Sequence, residues 1–141
     1  MKNKNRIEMA ETYHKKRFNC AQSVVMAFAD LYGIDEKIMA RISCAFGGGI
    51  GSQRLTCGAV LGMCMLIGLE EGNEDSNDTE KKKRCYEQTQ ILCSKFSKEY
   101  GSMECKDIIG VVPCNEKVKL AAKIFNEYLI GKGKDCDMAS K

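Results

Sequence analysis

An all-α fold follows from three features of the chain. Apolar residues recur at three- and four-residue spacing in several segments, no segment alternates polar with apolar residues as a strand does, and one proline with no tryptophan argues against a turn-rich β-sandwich. The 141 residues show no linker and suit a single core. The expected architecture is therefore a compact single-domain bundle of about five to seven helices over 1–130, around a central apolar helix, with a polar tail over 131–141.

Residues 7–16 read as a short first helix. Asn19 is an N-cap candidate whose side chain can accept a backbone N–H two or three residues on, which places Cys20 in the opening turn of a second helix. Val24, Ala27, Phe28 and Leu31 form its apolar stripe, and Tyr32 and Gly33 close it. Asp35 can cap a third helix to about residue 45, with Ile38, Ile42 and Ala45 facing inward. The glycine-rich run FGGGIG at 46–51 then leads to Cys57 and CGAVLGMCMLIG, apolar on nearly all sides and read as the central helix over about 57–70. Gly58 and Gly62 leave a groove along it that fits a neighbouring helix or a flat cofactor.

An acidic loop over 70–78 follows, and Asn77 with Glu80 resembles a capping box for a long helix reaching Tyr100. Cys85, Tyr86, Thr89, Cys93, Phe96 and Tyr100 share one face of that helix. Gly101 and Ser102 end it and lead to a short helix with Cys105, Ile108 and Ile109. Pro113 opens a last helix, with Cys114 in its first turn and Val118, Ala121, Ala122, Phe125 and Leu129 as the buried stripe.

Charge and composition exclude several functions. A net charge of +3 is small, and the KKKR block at 81–84 is offset by the acidic stretch before it, so no nucleic-acid partner is expected. The longest apolar stretch, 59–69, falls short of the roughly 20 residues that span a bilayer, which excludes membrane insertion as an expectation. A polar first segment gives no export signal, and nine cysteines, an odd number, then suit reduced thiols in the cytoplasm better than a disulfide framework.

The cysteines sort by position. Cys57 follows the glycine segment at a helix start, where the positive end of the helix is expected to lower its pKa from a free value near ~8.5. Cys20, Cys105 and Cys114 share that placement. Four helix starts meeting at one point would stabilise clustered thiolates, each by about 0.3–1 kcal/mol when exposed and up to ~2 when partly buried. The equal alternative is unrelated core thiols at helix ends. Cys64, Cys85 and Cys93 sit mid-helix and read as core packing, Cys44 lies late in its helix, and Cys136 between two aspartates reads as a surface thiol.

No Cys-x-x-Cys pair exists, which argues against thioredoxin-like chemistry, zinc ribbons and the bacterial ferredoxin run. The haem motif Cys-x-x-Cys-His is absent too, so covalent c-type haem is excluded. A Cys–His dyad depends on His14, the one histidine, which stands beside Lys15, Lys16 and Arg17 and reads as solvated. The glycine run lacks the Lys-Ser/Thr of a phosphate loop.

The segments FNCAQSV (18–24), FGGGIG (46–51), CGAVLG (57–62) and YGSMEC (100–105), followed by Cys114, resemble the C-GCAxxG-C-C family of redox-active proteins. The resemblance spans nearly the whole chain and implies that Cys20, Cys57, Cys105 and Cys114 are the family cysteines. Cys136 is the alternative for the fourth, because the stretch from Cys105 to Cys114 is shorter than is usual in the family. A related domain accompanies haem attachment in split-Soret cytochromes c, so the resemblance also leans toward electron transfer.

Three functions compete. In the first, thiolates of Cys20, Cys57, Cys105 and Cys114 bind an iron–sulfur cluster for electron transfer, with Gly47, Gly48, Gly49 and Gly51 giving backbone N–H groups and Gly58 and Gly62 the groove; zinc is the alternative metal. In the second, Cys57 is a metal-free reactive thiol resolved by one of the other three as a disulfide. In the third, the chain is a non-catalytic ligand-binding module in which the glycine segment and the Gly58–Gly62 groove hold a small anion or flat molecule and the cysteines merely line the pocket. Oxidoreductase and electron carrier remain open, as do the redox partner and a homo-oligomeric state.

Overall fold

The computed structural model describes residues 5–134; Cys136 and the tail beyond Lys134 lie outside them. Among the described residues the chain forms seven α-helices and no strand: α1 (Arg6–Lys15), α2 (Cys20–Met26), α3 (Glu36–Ser43), α4 (Gly58–Glu71), α5 (Thr79–Tyr100), α6 (Cys105–Ile108) and α7 (Cys114–Gly131). Helix α4 is the hub and packs against α2, α5 and α7, while α1 lies on α2 and α7. No helix among the described residues is long and apolar enough to cross a membrane.

Local chemistry explains most boundaries. Asn19 accepts from Gln22 N at 2.9 Å while the Gln22 side chain accepts from Asn19 N at 3.0 Å, a reciprocal box that starts α2 at Cys20. The expected continuous helix to Leu31 is broken, since α2 stops at Met26 and a 3-10 turn covers Ala29–Tyr32. A long-range contact accompanies the break: the buried Arg6 guanidinium takes the Ala27 carbonyl at 3.0 Å, pairs with Asp30 and lies over the Phe28 ring. The stripe on α7 is buried throughout, and Phe125 meets Phe28 edge-on at 5.0 Å.

Two other expectations change. Helix α3 buries Met39 and Ser43, whereas Ile38, Ile42 and Ala45 are exposed, because it leans on α2 through the next face round, with Gln22 donating to the Ala40 carbonyl. Helix α5 is capped by Asp78, which accepts from Lys81 N, rather than by Asn77; its buried residues are Leu92 and Phe96, and Tyr86 is exposed.

The two carboxylates expected in the acidic loop instead end α4. Glu70 accepts from Tyr32 and Lys132, both at 2.8 Å, and Glu71 accepts from Arg84, Lys132 and Tyr128. Burial works to raise both carboxyl pKa values, but these bonds outweigh it and hold both below the ordinary 4.5.

Candidate functional site

The glycine-rich segment makes a left-handed turn. Residues 48–52 all have positive φ, including Ile50 at 64°, a conformation that costs an L-residue about 1–2 kcal/mol. Glycine at 48, 49 and 51 spares most of that cost. The turn bonds to itself, with Ser52 N on Gly47 O, Arg54 N on Gly48 O and Leu55 N on Gly49 O, all within 3.1 Å. The amides of residues 50–55 are therefore committed to carbonyls, not presented as a row of free donors. Gly49 is needed for packing as well, since a Cβ there would stand 2.8 Å from Cys105 Cβ and 2.6 Å from Leu55 N.

After this turn, a short antiparallel bridge at Thr56 and Glu104 ties the approaches to Cys57 and Cys105. Cys57 N donates to Met103 O at 2.7 Å and Cys105 N to Leu55 O at 2.6 Å. Two cysteines 48 residues apart in sequence are thereby held side by side in space. Cys20 joins them from α2: a Cβ on Gly58 would lie 2.4 Å from its Sγ. Cys114 enters as the first residue of α7.

Cys20, Cys57, Cys105 and Cys114 all line one cavity of about 170 Å3, with His14, Asn19, Arg54, Lys117, Gly48 and Gly58 completing its wall. Each cysteine stands at a helix start, Cys57 as the N-cap of α4 and the others as first helical residues. Cys57 and Cys105 are buried, Cys20 is half-buried and Cys114 is exposed. Of the six glycines expected at a cofactor, Gly48 and Gly58 line the cavity. Gly47 packs on the Asn19 side chain, Gly51 is exposed, and Gly62 faces α2, where a Cβ would meet Ala21 O at 2.9 Å. The Gly62 part of the groove is thus filled by a helix.

Electrostatics at the site depart from the helix-start argument. Burial pushes the Cys57 thiol up to about 11 from 9.0, more than the amides of Ala59 and Val60 pull it down; a nearby Cys20 also raises it, and Lys117 lowers it. The expected lowering is overturned because α4 begins inside the core, where desolvation exceeds the stabilisation of one helix end. Helix α6 is only four residues long and adds little dipole. Cationic groups do reach the sulfurs, with Arg54 Nη1 on Cys105 Sγ and Lys117 Nζ on Cys114 Sγ, each at 3.8 Å. Among the described residues, no carboxylate lines the cavity.

A family model described as "Putative redox-active protein (C_GCAxxG_C_C)" matches residues 18–129. The chain belongs to this family. No curated protein and no solved structure matches it. In this C_GCAxxG_C_C protein the matched span holds all four cavity cysteines together with Arg54 and Lys117, while His14 lies before it.

The three basic residues are what sequence reasoning missed. Lys117 stands three residues after Cys114, a spacing that puts both on one helix face and could have signalled it. His14 looked solvated among Lys15, Lys16 and Arg17, yet α1 turns it to the cavity. Arg54 carried no such signal, because its direction depends on the left-handed turn before it. Among the described residues, no group of three or more histidine, cysteine, aspartate or glutamate side chains is placed to hold a single metal ion.

Proposed function

We propose that this redox-active family member moves electrons through Cys20, Cys57, Cys105 and Cys114, whose thiolates hold an iron–sulfur cluster in the cavity they share. The observation that carries the reading is Lys117. It is 2% exposed, its ammonium reaches Cys114 Sγ, and no carboxylate among the described residues pairs with it. Taking an ammonium out of water costs several kcal/mol, and an anion at about 4 Å returns about 4 kcal/mol at an effective dielectric of 20. Thiolates ligating a cluster supply that negative charge; neutral thiols do not.

The donor set suits such a group. Four thiols meet the ligand count of either common cluster type. Cys20, Cys57, Cys105 and Cys114 would each hold one iron of a four-iron cluster, and zinc held by the same four thiolates is the alternative metal. When bound, the cluster accepts and returns one electron. The chain's own residues bind and balance it: Cys57 releases its proton on ligation, the amides of Ala59 and Val60 with Lys117 favour the resulting charge, and Arg54 does the same at Cys105.

A second reading, metal-free dithiol exchange, draws on one contact. Cys20 Sγ lies against Gly58, the residue after Cys57, and both cysteines line the same cavity; on this reading the pair closes as a disulfide while a disulfide-bearing partner is reduced to two thiols. Protein prepared without oxygen separates the two. The cluster reading expects a brown protein with bound iron and acid-labile sulfide, both lost in Cys57→Ser. Colourless protein without iron or sulfide after reconstitution would overturn it, and a Cys20–Cys57 link on oxidation would then establish the second.

A further inference from the structure

A second pair of thiols lies away from the cavity. Cys64, two turns and about 10 Å along α4 from Cys57, approaches Cys93 of α5 with the two sulfurs 3.7 Å apart. Both residues are half-buried rather than sealed in the core, and neither lines the cavity. Both thiols pack against the core as expected, and that packing also brings the two sulfurs into direct contact between two helices. A disulfide bond is about 2 Å long, so the two sulfurs need to close by less than 2 Å from that 3.7 Å separation.

We propose that Cys64 and Cys93 are a second redox couple, which a small-molecule disulfide oxidises to a cystine that ties α4 to α5. The reaction balances in two exchanges. The Cys93 thiolate, its proton released to solvent, attacks one sulfur of the small disulfide, forming a mixed disulfide and expelling one thiolate. Cys64 then loses its proton to that leaving thiolate and attacks the Cys93 sulfur, forming the Cys64–Cys93 bond and expelling the second thiolate, which is protonated from solvent. Two protein thiols are oxidised and one small disulfide becomes two thiols.

The order of attack follows from the contact. The contact, in which either thiol can donate, raises the Cys64 pKa together with burial and lowers that of Cys93. Cys93 is the nucleophile and Cys64 the resolving thiol. The couple does not depend on a cluster in the cavity, since it uses neither its sulfurs nor its cations.

The test treats the full chain with glutathione disulfide, alkylates the remaining thiols, digests without reduction and assigns linked sulfurs by tandem mass spectrometry. The expected product joins Cys64 to Cys93 and is reversed by dithiothreitol. Cys64→Ser should trap one glutathione on Cys93, and Cys93→Ser should leave Cys64 at least tenfold less modified. Free Cys64 and Cys93 in the treated wild type, a Cys85–Cys93 link in their place, or no glutathione on Cys93 in folded Cys64→Ser protein would overturn the proposal.

Discussion

At the C-terminal end of α4, Glu70 and Glu71 face Lys132, Lys134 and Arg84; at its N-terminal end, the cavity beside Cys57 holds Lys117 and Arg54 and, among the described residues, no carboxylate. Both ends bring cations to a largely apolar helix. The carboxylates stand where the helix end disfavours an anion, yet direct bonds from three cations and two phenols keep them ionised. The thiols stand where the helix end favours an anion, yet burial keeps Cys57 protonated. Direct pairing decides charge state more than the dipole does, and one end is electrically complete while the other has cations in excess.

The largest effect that sharpens this contrast is at Cys57. A thiol with a pKa of about 11 rather than 9.0 holds roughly 100-fold less thiolate at neutral pH. Metal-free protein should alkylate at Cys57 at least that much more slowly when folded than when unfolded near pH 7, with the folded rate climbing about tenfold per unit up to about pH 11. Shielding without a raised pKa would let the climb level off near pH 9.

Charge removal should act oppositely at the two ends. Glu71→Gln should cost about 1–3 kcal/mol in denaturant unfolding, because Lys132 and Arg84 lose their partner. Lys117→Met should leave metal-free protein equally stable or up to about 3 kcal/mol more stable, by removing a buried charge while keeping its apolar stem. Comparable losses at both sites would erase the distinction. The native Glu71 pKa lies below the unfolded value, so its contribution is complete above about pH 4.5 and is lost as pH falls through the native value; Glu71→Gln should flatten that part of the stability–pH curve.

The glycines of α4 give the smallest test. Gly58→Ala should destabilise by about 1–3 kcal/mol, because its Cβ meets Cys20 Sγ at 2.4 Å and Phe46 O at 2.9 Å. Gly68→Ala, with nothing within 4 Å, should stabilise by about 0.5–1 kcal/mol.

What could be read from the sequence was local. Asn19 and Gln22 start α2 through their own side chains, Pro113 stands at the start of α7, and the stripe from Val118 to Leu129 is buried as its spacing implies. What could not be read depends on distant groups. Helix α2 ends early where Arg6 takes the Ala27 carbonyl, and α3 hides Met39 instead of Ile38 because of where α2 lies. At the site, helix-start placement singled out the four cysteines, but the Cys57 pKa went the other way because the depth of a helix end in the core is a tertiary property. The Cys64–Cys93 contact was hidden for the same reason, since each residue alone looks like an ordinary apolar-face cysteine.

The central claim is that four sulfurs from separate helix starts face one cavity beside a buried lysine. Sulfur anomalous scattering from crystals grown without oxygen locates each Sγ directly. The account predicts Cys20, Cys57, Cys105 and Cys114 around a single space, with Lys117 Nζ in contact with Cys114; any one of the four sulfurs turned out of that space would contradict it.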